Sequence, residues 1–150
     1  MNRPRVMINV FIFNSEGDKL LVGKTYDDGT HSILAGKLEF GEDFDECASR
    51  ILSNTANILV DNNRIKFICS YNAVDKINNI HCVSIDYYIQ LTKEEEKFYL
   101  IVDKFHFQNW NWYSFEEVCK MYDNLKTGMQ IFFKKYNIKN YDDIKNLVSN

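Results

Sequence analysis

The feature that most restricts the fold is a change of hydrophobic period along the chain. From Val6 to Phe13, β-favouring residues alternate between the two sides, as on a half-buried strand. Between Asp43 and Ala56 the apolar residues Phe44, Cys47, Ala48, Ile51 and Leu52 fall instead at helical spacing. Extended patterns return over Arg64–Val74 and Ile80–Leu91, and a helical tail follows. A lone amphipathic helix between strands must lay its apolar stripe on a sheet. The order of strands, one helix, strands and then helices predicts a mixed β-sheet with helices packed on its faces, an α/β or α+β sandwich.

Local signals set the joints. Asn14-Ser15-Glu16-Gly17-Asp18 reads as a turn, and Lys19–Lys24 as the second strand of a hairpin. Asp27-Asp28-Gly29 marks a loop, and short extended pieces follow near Ser32–Leu34 and Lys37–Phe40. Glu42 and Asp43 are acidic where a helix N-terminus favours negative charge, and Asn57 stands at the expected C-terminal cap. Asp75–Asn79 reads as a turn, and the run Lys93–Lys97 as a solvated turn or helix face. Trp110-Asn111-Trp112-Tyr113 is a short aromatic strand. Ser114 and Glu117 then form a capping box, and Asp123–Leu147 is amphipathic helix in one or two pieces.

A chain of 150 residues is long enough to bury a core and fits one domain spanning residues 1–150. The net charge of −3 provides no bulk attraction to a nucleic acid polymer or an anionic membrane. No apolar run reaches 18 residues, so no membrane span is expected. The opening MNRPRVMINVFIF is basic and then apolar. It alternates, carries Asn9 and lacks a small-residue cleavage site, which favours a first strand over a signal peptide. Cys47, Cys69, Cys82 and Cys119 form no paired spacing and read as reduced, mostly buried thiols of a cytoplasmic protein. The three histidines are scattered too, so a zinc site is not expected.

The most informative stretch runs from Gly36 to Ile58. Gly36 is followed after five residues by Glu42, and after seven more by Arg50, Leu52 and, further on, Ile58. This pattern resembles the Nudix box, and the run Leu38-Glu39-Phe40-Gly41-Glu42 with Glu46-Cys47-Ala48 resembles its MutT-homologue branch. Val22-Gly23-Lys24 and the segment from Trp110 to Val118 resemble flanking segments of that branch. The resemblance implies a Nudix-type α/β/α sandwich. It implies hydrolysis of nucleoside diphosphate linkages by a metal-activated water, with Mg2+ or Mn2+ as cofactor, and a homodimer.

In that family the box supplies glutamates at offsets i, i+3 and i+4, which share one helix face and hold the metal. Here those catalytic positions are Ile51, Asn54 and Thr55. Ile51 cannot ligate, and Asn54 and Thr55 offer only neutral oxygens. The usual Pro-Gly-Gly before the box is Leu34-Ala35-Gly36, and Gln108 stands where a late glutamate often appears. Glu39, Glu42 and Glu46 remain as candidate metal ligands, and Gly36, Gly41 and Arg50 as structural box positions. Glu42 reads mainly as a support of the loop–helix geometry through Arg50. Glu46 and Arg50 are also i, i+4 neighbours that can pair.

Lys37, His31 and Trp110 are the candidate substrate-binding residues. His31 reads as lining the pocket or loop, and His81 and His106 as surface or strand residues. Phe11, Phe13 and Trp112 can stack on a base, although aromatics at strand spacing are mostly core. Three readings stay open. The first is a protein that keeps a pocket for a nucleotide or nucleoside diphosphate derivative and has weak or lost hydrolysis, with no metal needed. The second is a divergent active hydrolase with metal held by other acids. The third is a structural or protein-interaction module.

Overall fold

The computed structural model describes residues 3–98 and 107–149. Strand β1 (Arg5–Phe13) is the axis of a mixed sheet of seven strands among these residues. Along its whole length β1 runs parallel to β6 (Ile80–Gln90), and β5 (Lys66–Asp75) closes that side as an antiparallel hairpin with β6. On its other edge, Met7–Val10 pair with β4 (Leu34–Lys37).

The expected hairpin between β1 and β2 (Lys19–Thr25) opens as soon as it forms. The Asn14 carboxamide accepts from the backbone N–H groups of Asp18 and Lys19 and tightens the turn. Beyond the single register pair Phe13↔Leu20, however, β2 leaves β1. It pairs instead with β3 (His31–Ser32) and β7 (Phe107–Ser114). The edge of β1 vacated by β2 is the one β4 occupies.

Side-chain alternation sorts the core into two faces. Ile8, Val10, Ile12, Leu34, Ile85 and Ile89 point one way, onto α1 (Phe44–Ala56), which buries Cys47, Ala48, Ile51 and Leu52 against them. Phe11, Phe13, Tyr71 and Ala73 point the other way, among Val118, Met129, Phe132 and Ile144. Those come from α3 (Phe115–Lys120), α4 (Thr127–Tyr136) and α5 (Tyr141–Ser149). Helices on both faces give the α/β/α sandwich. Phe11 and Phe13 are core, at 1% and 0% exposure. Each buried aromatic of this kind stabilises the fold by about 1.5–3 kcal/mol.

Element ends follow local chemistry. Asn57 takes the left-handed conformation (φ 54°, ψ 36°), and its N–H closes α1 onto the carbonyls of Leu52 and Ser53. Ser114 and Glu117 form the reciprocal capping box. The helical tail is later than its pattern implies: a 3-10 turn at Tyr122–Asn124 precedes α4, and Asn137, again left-handed, separates α4 from α5. The acidic run Lys93–Lys97 falls in a short helix, α2 (Lys93–Phe98), where Glu95 pairs with Arg64 at 2.6 Å. All four cysteines carry free thiols, but only Cys47 is buried; Cys119 is exposed. No helix among the described residues is long and apolar enough to cross a membrane.

Candidate functional site

The second sheet face is only partly roofed. Helices α3 to α5 cover the Phe13 end of β1, and the Met7–Phe11 end floors a cavity of about 1080 Å3. Its floor is a patch of same-face residues: Asn9 from β1, Ser84 and Asp86 from β6, and Tyr71 from β5. One wall is the loop from Thr25 to Thr30 together with the start of α4. Asp28 ties that wall together by accepting from the Thr25 and Thr30 hydroxyls and from the Thr30 N–H, which holds its carboxyl well below the usual range. The opposite mouth is the loop of the box, which contributes Gly36, Lys37, Glu39 and Arg50.

That mouth is organised around Arg50. Its Nε donates to Glu42 Oε2 at 2.7 Å, and its Nη2 reaches Glu42 Oε1 at 3.0 Å and the Lys37 carbonyl at 2.9 Å. Glu42 Oε1 also accepts from the Glu39 N–H at 3.0 Å. Both Glu42 oxygens are thereby committed inside the protein. The Arg50 guanidinium holds the Glu42 carboxyl down at about 2, and the carboxylate in turn raises Arg50. Gly41 adopts φ +82° in open space, so backbone conformation, not crowding, calls for glycine there. The result is a loop clamped onto the helix by a two-pronged ion pair.

The helix face on which the resemblance places the metal ligands is differently built. Ile51 is 3% exposed and packs with the α1-side core. A Cβ on Gly36 would lie 2.9 Å from Ile51 Cγ1, so glycine is the residue that admits the isoleucine. Asn54 is exposed and accepts a long 3.4 Å contact from the Ser53 hydroxyl, and Thr55 is half-buried. Among the described residues no three His, Cys, Asp or Glu side chains converge as a metal site would require. A divalent cation wants several anionic oxygens. This face offers an apolar side chain, an amide and a hydroxyl, while Glu42 is taken by Arg50. The residues of the box do not fit a resident Mg2+ or Mn2+.

The remaining candidates separate. Lys37 and Glu39 reach the cavity together with Arg50, and Glu39 stands 3.7 Å from Arg50 with its side chain 68% exposed. Glu46 lies exposed on α1, and Arg50 turns to Glu42, not to it. His31 is half-buried against Tyr113, its Nδ1 buried with no hydrogen-bond partner, and burial lowers its pKa. Trp110 packs on the α1-side core and over Gly23, where a Cβ would meet its ring at 2.7 Å. Neither His31 nor Trp110 lines the cavity. His81 contacts Asn72 on the β5–β6 hairpin. His106 and the side chain of Gln108 lie outside the described residues.

Sequence reasoning missed Asn9 and Asp86 as site residues. The available signal was parity: in the β6 pattern, Ser84 and Asp86 fall on one side while Ile85, Tyr87 and Ile89 fall on the other. A polar face on a central strand marks a floor, not a core.

Comparison with known proteins agrees with this fold. Residues 3–136 match the model of the NUDIX domain. A MutT protein from Methanosarcina mazei Go1 superposes with a TM-score of 0.70 at 14% identity, covering 91% of this chain and 96% of that one. A Caenorhabditis elegans Ap4A hydrolase in a binary complex gives 0.66 at 17% identity, with 89% and 95% covered. The NUDIX domain of Shewanella oneidensis NrtR, complexed with ADP ribose, gives 0.63 at 12% identity, with 81% and 79% covered.

Proposed function

This chain belongs to the Nudix family, and from that premise we propose that it binds a nucleotide or nucleoside diphosphate derivative with weak or no metal-dependent hydrolysis of its own. One observation carries the reading. The box keeps the loop that meets the cavity, through Lys37, Glu39 and Arg50, while its metal face is filled by the buried Ile51. Lys37 and the outer edge of Arg50 supply positive charge at the mouth for a diphosphate. The cavity, at about 1080 Å3, has room for the rest of the ligand. Two of the similar folds carry nucleotide derivatives by name, an Ap4A hydrolase and an ADP-ribose complex, which supports the ligand class.

Calorimetry tests the two halves separately. A nucleoside diphosphate binds in metal-free buffer, and Mg2+ or Mn2+ alone shows no micromolar site. Arg50→Ala releases the loop and weakens the nucleotide. Steady product release from a nucleoside triphosphate or dinucleotide, abolished by Glu39→Gln, would instead establish a divergent hydrolase. The same reading has the protein in the cytoplasm, consistent with four free thiols, and as a homodimer, which sedimentation measures directly.

A further inference from the structure

The sheet ends in an open edge. Strand β5 is last in the order, and among the described residues no strand lies beyond it. An end strand keeps every second N–H and C=O turned outward, ready to pair with another strand. Exposed apolar surface is concentrated at this end too. Phe67, Val74, Ile77 and Ile80, all on the β5–β6 hairpin, are half of the large hydrophobic side chains exposed among the described residues. Helix α1 packs chiefly on β1 and β4, which leaves Phe67 49% and Val74 42% exposed on the α1 side of β5.

The side-chain pattern of β5 decides what fits that edge. Its register with β6 skips from Phe67 to Cys69, so Ile68 is the extra residue of a bulge. With Ile68 set aside, Phe67, Ser70, Asn72 and Val74 fall on the α1 side of the sheet. Lys66, Cys69, Tyr71, Ala73 and Asp75 fall on the cavity side. Two copies related by a two-fold axis pair antiparallel, and each face of the sheet continues across the join. Residues that meet must then share a face, so the axis passes through a residue and not between two.

With the axis at Tyr71, Lys66 meets Asp75, Phe67 meets Val74, Ser70 meets Asn72 and Cys69 meets Ala73. Opposite charges, apolar, polar and small side chains are each matched, along the whole strand. An axis at Ser70 sets Phe67 against Asn72 and Lys66 against Ala73, and one at Asn72 sets Ser70 against Val74 and Cys69 against Asp75. The bulge then lies against Ala73 and Val74 of the copy, two regular residues, as it already lies against Asp86 and Tyr87 of β6.

Resting on the homodimer of the reading above, we propose that two copies join edge to edge through β5, antiparallel about Tyr71, into one continuous sheet. The join brings Lys66 of the partner subunit beside Asp75, a residue that lines the cavity. Asp75 Oδ2 accepts from Asn78 Nδ2 at 2.7 Å and keeps a lone pair for that lysine. One strand pair is a small interface, which sets the dissociation constant roughly in the micromolar range.

Sedimentation equilibrium of the full chain over roughly 1–200 μM tests this. The wild type should form dimers and nothing larger, because pairing uses up the edge. Val74→Lys, at an exposed position, should keep its circular dichroism and weaken the dimer roughly tenfold. Lys66→Asp and Asp75→Lys each set like charges against one another twice, and each alone should weaken the dimer by a similar factor. Mixed in equal amounts, these two variants should regain wild-type affinity as a heterodimer, since every lysine again meets an aspartate. A merely structural effect of either substitution would persist in the mixture. Dimers that no variant weakens, or a mixture no tighter than its components, overturn the edge assignment and leave the homodimer standing. A wild type that stays monomeric over the whole range overturns both. If Asp75→Lys disturbs the hairpin turn, unchanged dimers of Val74→Lys and Lys66→Asp still overturn the assignment.

Discussion

At the scale of single residues, the retained part of the box is a clamp. Glu42 spends both oxygens on Arg50 and the Glu39 N–H, which fixes the loop but leaves little for a cation. Its carboxyl is held near 2, below the ordinary 4.5. A depressed carboxylate contributes stability that is present above its unfolded value and is lost as pH falls through its folded value. The window is therefore pH 4.5 down to 2. In urea unfolding, Glu42→Gln should be less stable than wild type at pH 7, and the gap should close as pH falls through that window. A gap that is constant with pH would mean the ion pair does not hold the loop. This pairing was implied by the resemblance to the box, in which the Glu42 position supports the loop through the Arg50 position. The competing pairing of Arg50 with Glu46 was legible from i, i+4 spacing, and only the loop's path onto the helix chose between them.

At the scale of elements, ends were easier to read than partners. Asn57 was recognisable as a cap because asparagine tolerates the left-handed region better than most residues. Its φ of 54° makes a specific demand. Asn57→Ala should destabilise by about 1 kcal/mol, while Asn57→Gly should be neutral or slightly stabilising in thermal unfolding. Equal effects of the two would show that the backbone conformation is not what asparagine provides. Partners were harder. The turn at Asn14–Asp18 announces a hairpin, yet β2 leaves β1 after one register pair. Where β2 leaves β1, β3 takes that edge at Gly23 and Lys24, while β7 runs along the opposite edge with the Trp110 ring above Gly23. No local pattern encodes that β3, and not β1, continues along that edge.

At the scale of the whole molecule, the question is whether the helix face at Ile51, Asn54 and Thr55 is solvent surface or core. Asn54 is exposed and Thr55 half-buried, so Asn54→Glu with Thr55→Glu should change stability by no more than about 0.5 kcal/mol. Ile51 is 3% exposed in the core between α1 and the sheet. Adding Ile51→Glu should then cost several kcal/mol, of the order of about 2–5 for emptying such a site, with a buried carboxylate besides. Differential scanning calorimetry of the double and triple variants measures this. A triple variant as stable as wild type would show that the position opens onto solvent and that the face can be rebuilt.

The amino-acid order alone determined the alternation of strands and helices, the loop half of the box, and the absence of carboxylates at Ile51, Asn54 and Thr55. All of these are properties of residue type and short-range spacing. Tertiary structure alone decided which way each strand faces and what meets across it. Asp86 lies 77 residues from Asn9, with which it shares a hydrogen bond, and the parallel register of β1 with β6 brings them together. Helices α3 to α5 roof only part of their face. A polar residue in a strand pattern is ambiguous between edge, surface and floor until long-range pairing fixes what covers it.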